Sequence, residues 1–365
     1  MKVALTGAGG FLGFHTRALV QSLGGNSLAV GLGERFDADE ARNSVDGSDR
    51  LVHLAGVNRG TDSEILDGNM NFATQLAQVL RSVASPPAEV VYANSIQAGN
   101  DSVYGYAKAR SGDILRTACE SVGARFTDIM LPNLFGEHGR PLYNSVVATF
   151  CHKLHAGALP EVRDDKQLVL LHAQTAAEVL LGIVTVNQME SLATRRWVSE
   201  ILAQLEQIAE TYRHGDVPVV TTDFDRDLFN TYRSFRTNKP EDLPFALDRR
   251  ADSRGSFFEV CRSQGGASQT SFSTTLPGIT RGQHYHRRKI ERFVVLSGTA
   301  EIAMRRLFSQ EVLRFQVNGS APVAIDMPTL WTHSITNTGD SGLYTMFWTN
   351  DIFDPANPDT FAEEV

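Results

Sequence analysis

Three glycines, Gly7, Gly10 and Gly13, lie between a strand-like run at residues 2–6 and a helical pattern at residues 14–23. Glycines at this spacing let the backbone turn tightly, approach a pyrophosphate and pack the following helix close to the sheet. The unpaired N–H groups at the start of that helix can bind the anion. A strand, a glycine turn and a helix in this order predict a dinucleotide-binding fold.

Strand-like and helical patterns continue to alternate after this turn. Such alternation predicts an α/β domain with a doubly wound parallel sheet of Rossmann type, covered by helices on both faces. The strand-like runs are residues 27–32, 50–54, 89–93 and 125–130, and helical patterns include residues 70–83 and 106–122.

The second predicted strand ends near Gly33, Glu34 and Arg35. In this fold an acidic residue there favours the ribose 2′-hydroxyl of NAD, and an arginine favours the 2′-phosphate of NADP. Both residue types are present, and Arg35 lies next to the expected phosphate position. We therefore expect NADPH as the cofactor, with NAD as the alternative.

Ser95 ends a predicted strand, and Tyr104 and Lys108 lie one helical turn apart. An ammonium near a phenol favours the phenolate, so Lys108 is expected to lower the pKa of Tyr104 and make it a proton donor or acceptor. Ser95 is placed to hold a substrate oxygen. The spacing of Tyr104 and Lys108 alone also fits a solvated helix pair. The glycine turn, the strand-ending serine and the chain order together favour a catalytic site.

With these residues the N-terminal part resembles the extended short-chain dehydrogenase/reductase family, which contains nucleotide-sugar epimerases, dehydratases and reductases. The resemblance implies that Ser95, Tyr104 and Lys108 form the catalytic triad. Eight residues separate Ser95 from Tyr104, fewer than in most extended members, so the loop over the sugar must be built differently. The resemblance is carried by residues 6–13, 53–56, 94–95, 104–108 and 132–136. The cofactor-binding residues expected are Gly7, Gly10, Phe11, Leu12, Gly13, Arg35, Leu54, Ala55, Gly56, Tyr104 and Lys108.

The alternation stops at a polar stretch with two prolines, residues 237–244. Short β-rich segments with Gly-rich turns follow and predict a double-sheet barrel or jelly roll. We therefore expect two domains, at residues 1–244 and 245–365. The β-rich segments are residues 256–261, 269–275, 292–296, 299–305, 312–317, 323–327, 333–336 and 342–349.

A group of metal-ligand residues lies in this second part. His284 and His286 are alternate residues of a strand, so their imidazoles point to one face. Glu291 follows the next turn, and His333 on a later strand offers a fourth ligand. Such donors suit Zn, Fe, Mn, Ni or Co and do not choose among them.

The same residues carry a second family resemblance. The spacing from Gly278 to Gly298 matches the first cupin motif, and residues 328–337 resemble the second, in which Leu330 and Pro322 stand where glycines are usual. Those two replacements concern the local turn more than the metal. The resemblance implies one divalent metal, with zinc as the first choice. Its ligands would be His284, His286, Glu291 and His333.

Residues 252–259 and 281–285 also look like the pocket segments of dTDP-4-keto-6-deoxysugar 3,5-epimerases, which are cupins. That resemblance implies that His284 is the base that removes a proton next to a ketone. His284 cannot easily be both a metal ligand and a free base. If a metal is bound, Lys289, Tyr285 or a water on the metal is the better candidate for the base.

Along its whole length the chain resembles the bifunctional enzymes of capsular and O-antigen polysaccharide synthesis. The resemblance implies that the cupin epimerises C3 of a UDP-linked 4-keto-6-deoxy-N-acetyl sugar and that the reductase transfers hydride to C4, giving UDP-2-acetamido-2,6-dideoxy-L-talose. A homodimer through the cupin is also implied. The alternatives are a plain reductase or a redox-neutral epimerase, with a cupin used only for binding or dimerisation. The expected substrate-binding residues are Asn133, Asn144, Arg254 and Arg281, with Lys289 as a catalytic residue.

Composition limits the other classes of function. The formal net charge of −8 and the pI near 5.7 argue against nucleic-acid binding. Neither a bilayer-spanning run nor a secretory leader is visible, and three scattered cysteines form no disulfide framework. A cytoplasmic protein is therefore expected.

Overall fold

The computed structural model of the chain describes residues 1–253 and 255–365. The described residues form two compact units, and the second unit contains α-helices as well as β-strands. The domain boundary between residues 244 and 245 stays a prediction. The first unit comprises Met1–Phe135, Gly139–Val146 and Lys166–Trp197, and the second comprises Gly136–His138, Val147–Asp165 and Val198–Val365.

The elements are numbered here in chain order. The strands are β1 (Lys2–Thr6), β2 (Asn26–Val30), β3 (Arg50–His53), β4 (Glu89–Ser95), β5 (Arg125–Leu131), β6 (Asn133–Phe135), β7 (Gln167–His172), β8 (Thr194–Trp197), β9 (Pro244–Ala246), β10 (Arg250–Asp252), β11 (Gly255–Phe257), β12 (Gln269–Thr275), β13 (Thr280–Tyr285), β14 (Glu291–Ser297), β15 (Thr299–Arg306), β16 (Val312–Asn318), β17 (Val323–Met327), β18 (Trp331–Asn337), β19 (Leu343–Thr349) and β20 (Phe361–Ala362). The helices are α1 (Phe11–Ser22), α2 (Ala38–Val45), α3 (Asp62–Ser82), α4 (Val103–Val122), α5 (Val146–His155), α6 (Ala173–Leu180), α7 (Val186–Leu192), α8 (Val198–Arg213) and α9 (Asp223–Ser234).

The first unit is built on a parallel sheet with strand order β2-β1-β3-β4-β5. Successive residues of a strand point to opposite faces, and each face carries its own apolar core. Leu5 and Val52 lie in one core, while their neighbours Ala4 and Leu51 lie in the other. The predicted Rossmann-type α/β fold is confirmed.

The chain leaves β1 on one side for β2 and returns on its other side for β3. This reversal is the topological switch point, where open parallel sheets bind ligands beyond the carboxyl ends of their strands. The glycine turn follows β1 directly and therefore lies at this position.

The second unit contains two antiparallel five-stranded sheets, with orders β12-β19-β14-β17-β9 and β16-β15-β18-β13-β20. The two sheets share one apolar core, to which Phe293 and Ile325 contribute from the first sheet and Ile302 and Ile335 from the second. This arrangement confirms the predicted all-β cupin fold for the C-terminal part.

Two predicted strand bounds were wrong. The strand expected at residues 256–261 ends at Phe257, and the chain beyond it runs beside Val217, whose N–H binds the carbonyl of Arg262. The strand expected at residues 27–32 ends at Val30, because Gly33–Arg35 form a single 3₁₀ turn. Within the described ranges, no helix is both long and apolar enough to cross a bilayer.

Candidate active site and metal centre

The glycine turn has the geometry that a pyrophosphate site requires. Gly7 has a φ of +65°, and a β-carbon there would lie 2.8 Å from the amide nitrogen of Ala55. A β-carbon on Gly13 would lie 2.2 Å from the Gly7 carbonyl oxygen. Gly10 precedes Phe11 at the start of α1 and offers no side chain to the first-turn N–H groups, which are left for an anionic ligand.

Thr6 holds the segment that the resemblance assigns to the cofactor. Its hydroxyl oxygen accepts the N–H groups of Leu54 and Ala55, at 3.0 and 3.1 Å, and donates to Nδ1 of His53 at 2.7 Å. Burial and the charge of Lys108 lower the pKa of His53 to about 3, so its ring is neutral and can accept. No sequence pattern indicated this link, because its partners are far apart in the chain.

Asn69 of α3 fixes the continuation of this segment. Its side-chain amide donates to the carbonyl of Val57 at 2.7 Å, and its oxygen accepts the Val57 N–H at 3.2 Å. A β-carbon on Gly56 would lie 3.1 Å from that oxygen. The loop after β3 is therefore held between Thr6 and Asn69.

Ser95 ends β4, and Tyr104 is the second residue of α4. The expected lowering of the Tyr104 pKa was wrong: burial raises this pKa, and a hydrogen bond with Ser95 offsets the rise only partly. Tyr104 is therefore a phenol at neutral pH, positioned beside the Ser95 hydroxyl. A phenol in this state can donate a proton.

Lys108 is buried one turn further along α4. Its ammonium donates to the Ala93 carbonyl at 2.8 Å and lies 4.1 Å from the ring centre of Tyr92. Burial lowers its pKa to about 7, and the charge of Asp128 works in the opposite direction. The Lys108 side chain therefore lies at the carboxyl end of β4, close enough to His53 for its charge to affect that ring.

Two of the three other residues predicted to contact ligands in the first unit have protein partners. The side-chain amide of Asn133 donates to the carbonyl of Val169, and that of Asn144 donates to the carbonyl of Asn58, both at 3.2 Å. Arg35 is exposed in the 3₁₀ turn that follows β2. Substrate binding by the two asparagines and cofactor binding by Arg35 stay predictions.

In the second unit, Arg281 is exposed on β13, and its Nε donates to Oγ1 of Thr275 at 3.1 Å. The ammonium of Lys289 donates to the carbonyl of Pro358 at 3.1 Å. Arg254 lies outside the described residues. The roles expected of Arg281, Lys289 and Arg254 stay predictions.

The four predicted metal ligands converge. One ligand atom from each of His284, His286, Glu291 and His333 can be chosen so that all lie within 4.8 Å of one another. His284 and His333 are paired residues of neighbouring strands in one sheet, whereas Glu291 begins β14 in the other. The cluster therefore lies where the two sheets face each other.

The donors of this cluster are aimed at one point. Nε2 of His286 lies 3.0 Å from Oε2 of Glu291, and Nε2 of His333 lies 3.1 Å from the same oxygen. Burial raises the pKa of Glu291, but its interactions with His286 and His333 outweigh burial and hold this pKa well below its usual range. Glu291 is therefore a carboxylate, the form that binds a metal.

The histidines also have fixed orientations. His284 donates a ring N–H to the carbonyl of Gly282, and Nδ1 of His333 donates to the carbonyl of Trp331 at 3.3 Å. The third ring, that of His286, donates to a carbonyl from the C-terminal segment. A ring N–H bound in this way leaves the other nitrogen free as a metal ligand. Three imidazoles and one carboxylate fit a divalent metal.

His284 belongs to this cluster by position. Its ring centre lies 4.9 Å from that of His286 and 4.7 Å from that of His333. Burial, together with these two neighbouring rings, lowers the pKa of His284 to about 4. It is a neutral imidazole at physiological pH, as a ligand must be.

The turn at Leu330, where the cupin motif usually has a glycine, forms without one. Leu330 has a φ of +64°, its N–H donates to the carbonyl of His286 at 2.8 Å, and its carbonyl accepts from Leu307. Leu330 therefore adopts a left-handed backbone, which favours glycine, although it carries a buried side chain.

Two family models match the parts of the chain in which the candidate sites lie. Residues 3–185 match the model of the NAD dependent epimerase/dehydratase family, and residues 250–361 match that of the polysaccharide biosynthesis C-terminal domain. The glycine turn and the triad lie within the first match, and the metal-ligand cluster lies within the second.

Whole-chain relatives combine these two parts. The UDP-2-acetamido-2,6-beta-L-arabino-hexul-4-ose reductase of Pseudomonas aeruginosa is 31% identical over 99% of this chain and 98% of its own. The crystal structure of the capsular polysaccharide assembling protein CapF from Staphylococcus aureus is 30% identical, covers 100% of both chains and has a TM-score of 0.62. A second CapF structure, with the inhibitor 3-isopropenyl-tropolone, is 28% identical over 100% of both chains, with a TM-score of 0.56. The chain belongs to the NAD dependent epimerase/dehydratase family, and it joins that domain to a polysaccharide biosynthesis C-terminal domain.

Proposed function

We propose that this protein is a bifunctional nucleotide-sugar enzyme. The cupin epimerises C3 of a UDP-linked 4-keto-6-deoxy-N-acetylhexosamine, and the N-terminal domain reduces the C4 ketone with NADPH. The product is UDP-2-acetamido-2,6-dideoxy-L-talose. The observation that carries this function is that one chain holds two sites suited to the same ketone: a hydrogen-bonded Ser95 and Tyr104 beside the glycine turn, and the His and Glu cluster.

The relatives support the substrate class. The P. aeruginosa relative is named as a reductase of a UDP-linked hexul-4-ose, a sugar with a ketone at C4. That ketone acidifies the hydrogen on C3 and also accepts a hydride at C4. Epimerisation at C3 must therefore precede reduction, because the reduced sugar no longer has an acidic C3 hydrogen.

NADPH supplies the hydride of the second step when it is bound at the glycine turn. Ser95 holds the C4 oxygen through its hydroxyl, and Tyr104 donates its phenolic proton to that oxygen as the C4 hydroxyl forms. Tyr104 can do so because burial keeps it protonated. Lys108 provides a positive charge at the carboxyl end of β4 that favours the resulting phenolate.

Arg35 supports NADPH over NAD. It is exposed just after β2, where its guanidinium can bind a 2′-phosphate in a bidentate manner. Replacing Arg35 with alanine is expected to weaken NADPH binding and leave NADH binding unchanged. Equal loss of both nucleotides would contradict this preference.

His284, His286, Glu291 and His333 would hold the metal, for which zinc is our first choice. A divalent metal at this position would act as a Lewis acid that makes the hydrogen next to a carbonyl easier to remove. The inhibitor bound by CapF supports a metal in the relatives, since tropolones carry adjacent oxygens that chelate divalent metals. With His284 in the ligand set, another group must remove the C3 proton.

Lys289 is our candidate for that base. Tyr285 suits the role less well, because its side chain is fully buried against Phe361 and burial raises its pKa far above neutral. The Lys289 ammonium lies on the turn between His286 and Glu291, where it binds Pro358 and Thr360. To act as the base, it would have to leave these partners and give up a proton, because only the uncharged amine can accept the C3 proton.

A homodimer through the cupin is part of the proposed assembly. Edge strand β12 exposes the ring of Phe272, which packs against Tyr344 at a ring-centre distance of 5.9 Å. Leu276 at the end of β12 is 73% exposed. A second copy of the chain would cover this apolar surface. Phe272→Glu is expected to shift sedimentation toward the monomer, and an unchanged sedimentation profile would contradict the interface.

One experiment tests the two activities separately. The keto sugar is incubated with the enzyme in deuterated water, first without and then with NADPH. Deuterium at C3 is expected without the nucleotide, and stoichiometric NADPH oxidation is expected with it. Reduction without any C3 exchange would leave a plain reductase, and exchange without net NADPH oxidation would leave a redox-neutral enzyme.

A further inference from the structure

We propose that the C-terminal strap, defined as residues 358–365, positions the metal ligand His286 through Asp359. This role rests on the metal site proposed above, and it assigns to Asp359 a positioning function rather than a catalytic one. The strap lies more than sixty residues beyond the first ligand motif in the chain, so the contact depends entirely on the fold.

His286 is oriented differently from the other two histidines. His284 and His333 each bind a carbonyl two residues earlier in their own strand. Nδ1 of His286 instead lies 2.6 Å from the carbonyl oxygen of Asp359. A carbonyl can only accept, so Nδ1 carries a hydrogen, and Nε2, which lies 3.0 Å from Oε2 of Glu291, is the nitrogen left to bind a metal.

The Asp359 side chain binds the backbone that follows His286. One carboxylate oxygen accepts the N–H of Arg287 at 3.1 Å, and the other accepts those of Arg288 and Lys289 at 2.8 and 2.7 Å. Charge-assisted hydrogen bonds to consecutive amides are strong and directional. Main chain and side chain of Asp359 therefore fix both the ring of His286 and the turn that leads to Glu291.

The backbone of Asp359 is strained to make these contacts. Its φ of +43° lies in the left-handed region, which is unfavourable for most residues other than glycine. Such a conformation persists only where the surroundings stabilise it. The three amide hydrogen bonds and the link to His286 are the contacts that do so.

The rest of the strap is docked on the strand that carries the ligands. Ala362 pairs with His284, and the ring of Phe361 stacks on Tyr285 with centres 5.3 Å apart. The N–H of Glu363 donates to the Gln283 carbonyl at 3.0 Å. The strap therefore extends the ligand sheet by one strand and holds Asp359 in register with His286.

Two variants separate positioning from general support of the fold. Asp359→Asn removes the charge but keeps a side chain that tolerates the left-handed backbone. Asp354→Asn is the matched control, since Asp354 is exposed in the same C-terminal segment and its carboxylate accepts the N–H of Ala356.

The test is a titration of metal-free protein with Co²⁺ alone. The visible d–d absorption of the bound Co²⁺ detects binding, and competition with a chelator measures the affinity. We expect Asp359→Asn to weaken Co²⁺ binding by about 10–100-fold, the usual effect of losing a ligand's supporting partner, and to change the band intensities. Asp354→Asn should match the wild type in Co²⁺ affinity and in band intensities. Wild-type affinity and spectrum in Asp359→Asn would overturn the role of Asp359. Failure of the wild type itself to bind one Co²⁺ per chain would instead contradict the metal site.

A second measurement needs no variant and covers the case in which Asp359→Asn does not fold. Nitrogen-15 shifts of histidine in zinc-loaded wild-type protein report which ring nitrogen carries hydrogen. We expect His286 to keep hydrogen on Nδ1 and to bind through Nε2. Binding through Nδ1 would overturn the inference, because that nitrogen would no longer donate to Asp359.

Discussion

Gly13 lies so close to Gly7 that a β-carbon on Gly13 would sit 2.2 Å from the Gly7 carbonyl oxygen. This contact joins the start of α1 to the end of β1 and sets the distance from the helix N-terminus to the turn. Gly9, in the same turn, has no atom within 4 Å of where its β-carbon would lie. The two glycines therefore differ in what they tolerate.

Gly13→Ala is expected to weaken NADPH binding by about tenfold or more, because an added methyl in a packed contact costs about 1–3 kcal/mol and moves the helix from the turn. Gly9→Ala is the control and should bind NADPH nearly as well as the wild type. Fluorescence titration with NADPH measures both. Equal affinities in the two variants would mean that the Gly7 and Gly13 contact does not shape the cofactor site.

Tyr104→Phe removes the proposed proton donor and leaves its ring in place. The rate of NADPH oxidation with the keto sugar should fall by about 10²–10⁴-fold, the usual contribution of a positioned general acid. NADPH affinity should change little. Tyr106→Phe is the control on the same helix, since Tyr106 is 55% exposed, and it should keep wild-type activity. A small effect of Tyr104→Phe would assign the proton to another group.

The pH dependence of the reductase is expected to report Lys108. Burial lowers the pKa of Lys108 to about 7 in the folded protein without ligands, and Asp128 opposes this shift. The ammonium is present below that pKa and lost above it, so kcat/KM should decline as pH rises through about 7. Asp128→Asn removes the opposing negative charge and should move the decline to lower pH, whereas the exposed Asp101→Asn should not. An unshifted profile in Asp128→Asn would exclude Lys108 as the titrating group.

The features of this molecule that the sequence predicts well are those that depend on residues close together in the chain. Each of three features needs only a few neighbouring residues: the glycine turn, the helical spacing of Tyr104 and Lys108, and the spacing from His284 to Glu291. In the structure the residues of each feature lie together. Leu330 adopts the backbone of the glycine that it replaces, because the surrounding hydrogen bonds outweigh the strain.

What the sequence could not predict depends on distant contacts. Thr6 supports the cofactor segment across 48 residues, and Asp359 orients His286 across 73. The direction of the Tyr104 pKa shift is of the same kind, because burial of the phenol, which tertiary packing sets, outweighs the effects that favour the phenolate. Local sequence patterns identify the candidate site residues, and the fold decides the protonation and orientation of their side chains.

Glu291→Gln keeps the shape of the metal ligand and removes its charge. The variant should lose most of its bound metal and its C3 deuterium exchange, while NADPH binding at the glycine turn stays at the wild-type level. His214→Gln is the control, because the side chain of His214 is 65% exposed and the residue lies outside the cluster. Metal analysis, deuterium exchange and NADPH titration measure the three properties. Loss of NADPH binding on metal removal would contradict two independent sites.

Arg292 and Asp326 form a buried bidentate ion pair inside the second unit, with Nε to Oδ1 at 2.6 Å and Nη2 to Oδ2 at 3.0 Å. Tyr212 adds a hydrogen bond from its hydroxyl to Oδ2 at 2.8 Å. Asp326→Ala should lower the free energy of unfolding by about 3–5 kcal/mol, because it leaves the Arg292 charge buried without its partner. Asp248→Asn, which alters an exposed pair with Arg250, should have little effect.

The same pair makes the second unit sensitive to acid. Burial raises the pKa of Asp326, but the charge and hydrogen bonds of Arg292 outweigh burial and lower it below its ordinary value of 3.8. The folded state therefore binds fewer protons at Asp326 than the unfolded state does, so this contribution is complete above the ordinary pKa and is lost as pH falls through the lowered one. Urea unfolding followed by tryptophan fluorescence at neutral pH and at successively lower pH should show the wild type losing stability toward that of Asp326→Ala. A difference between the two that stays constant as pH falls would contradict this prediction, because it would mean that protonation of Asp326 does not account for the loss of stability.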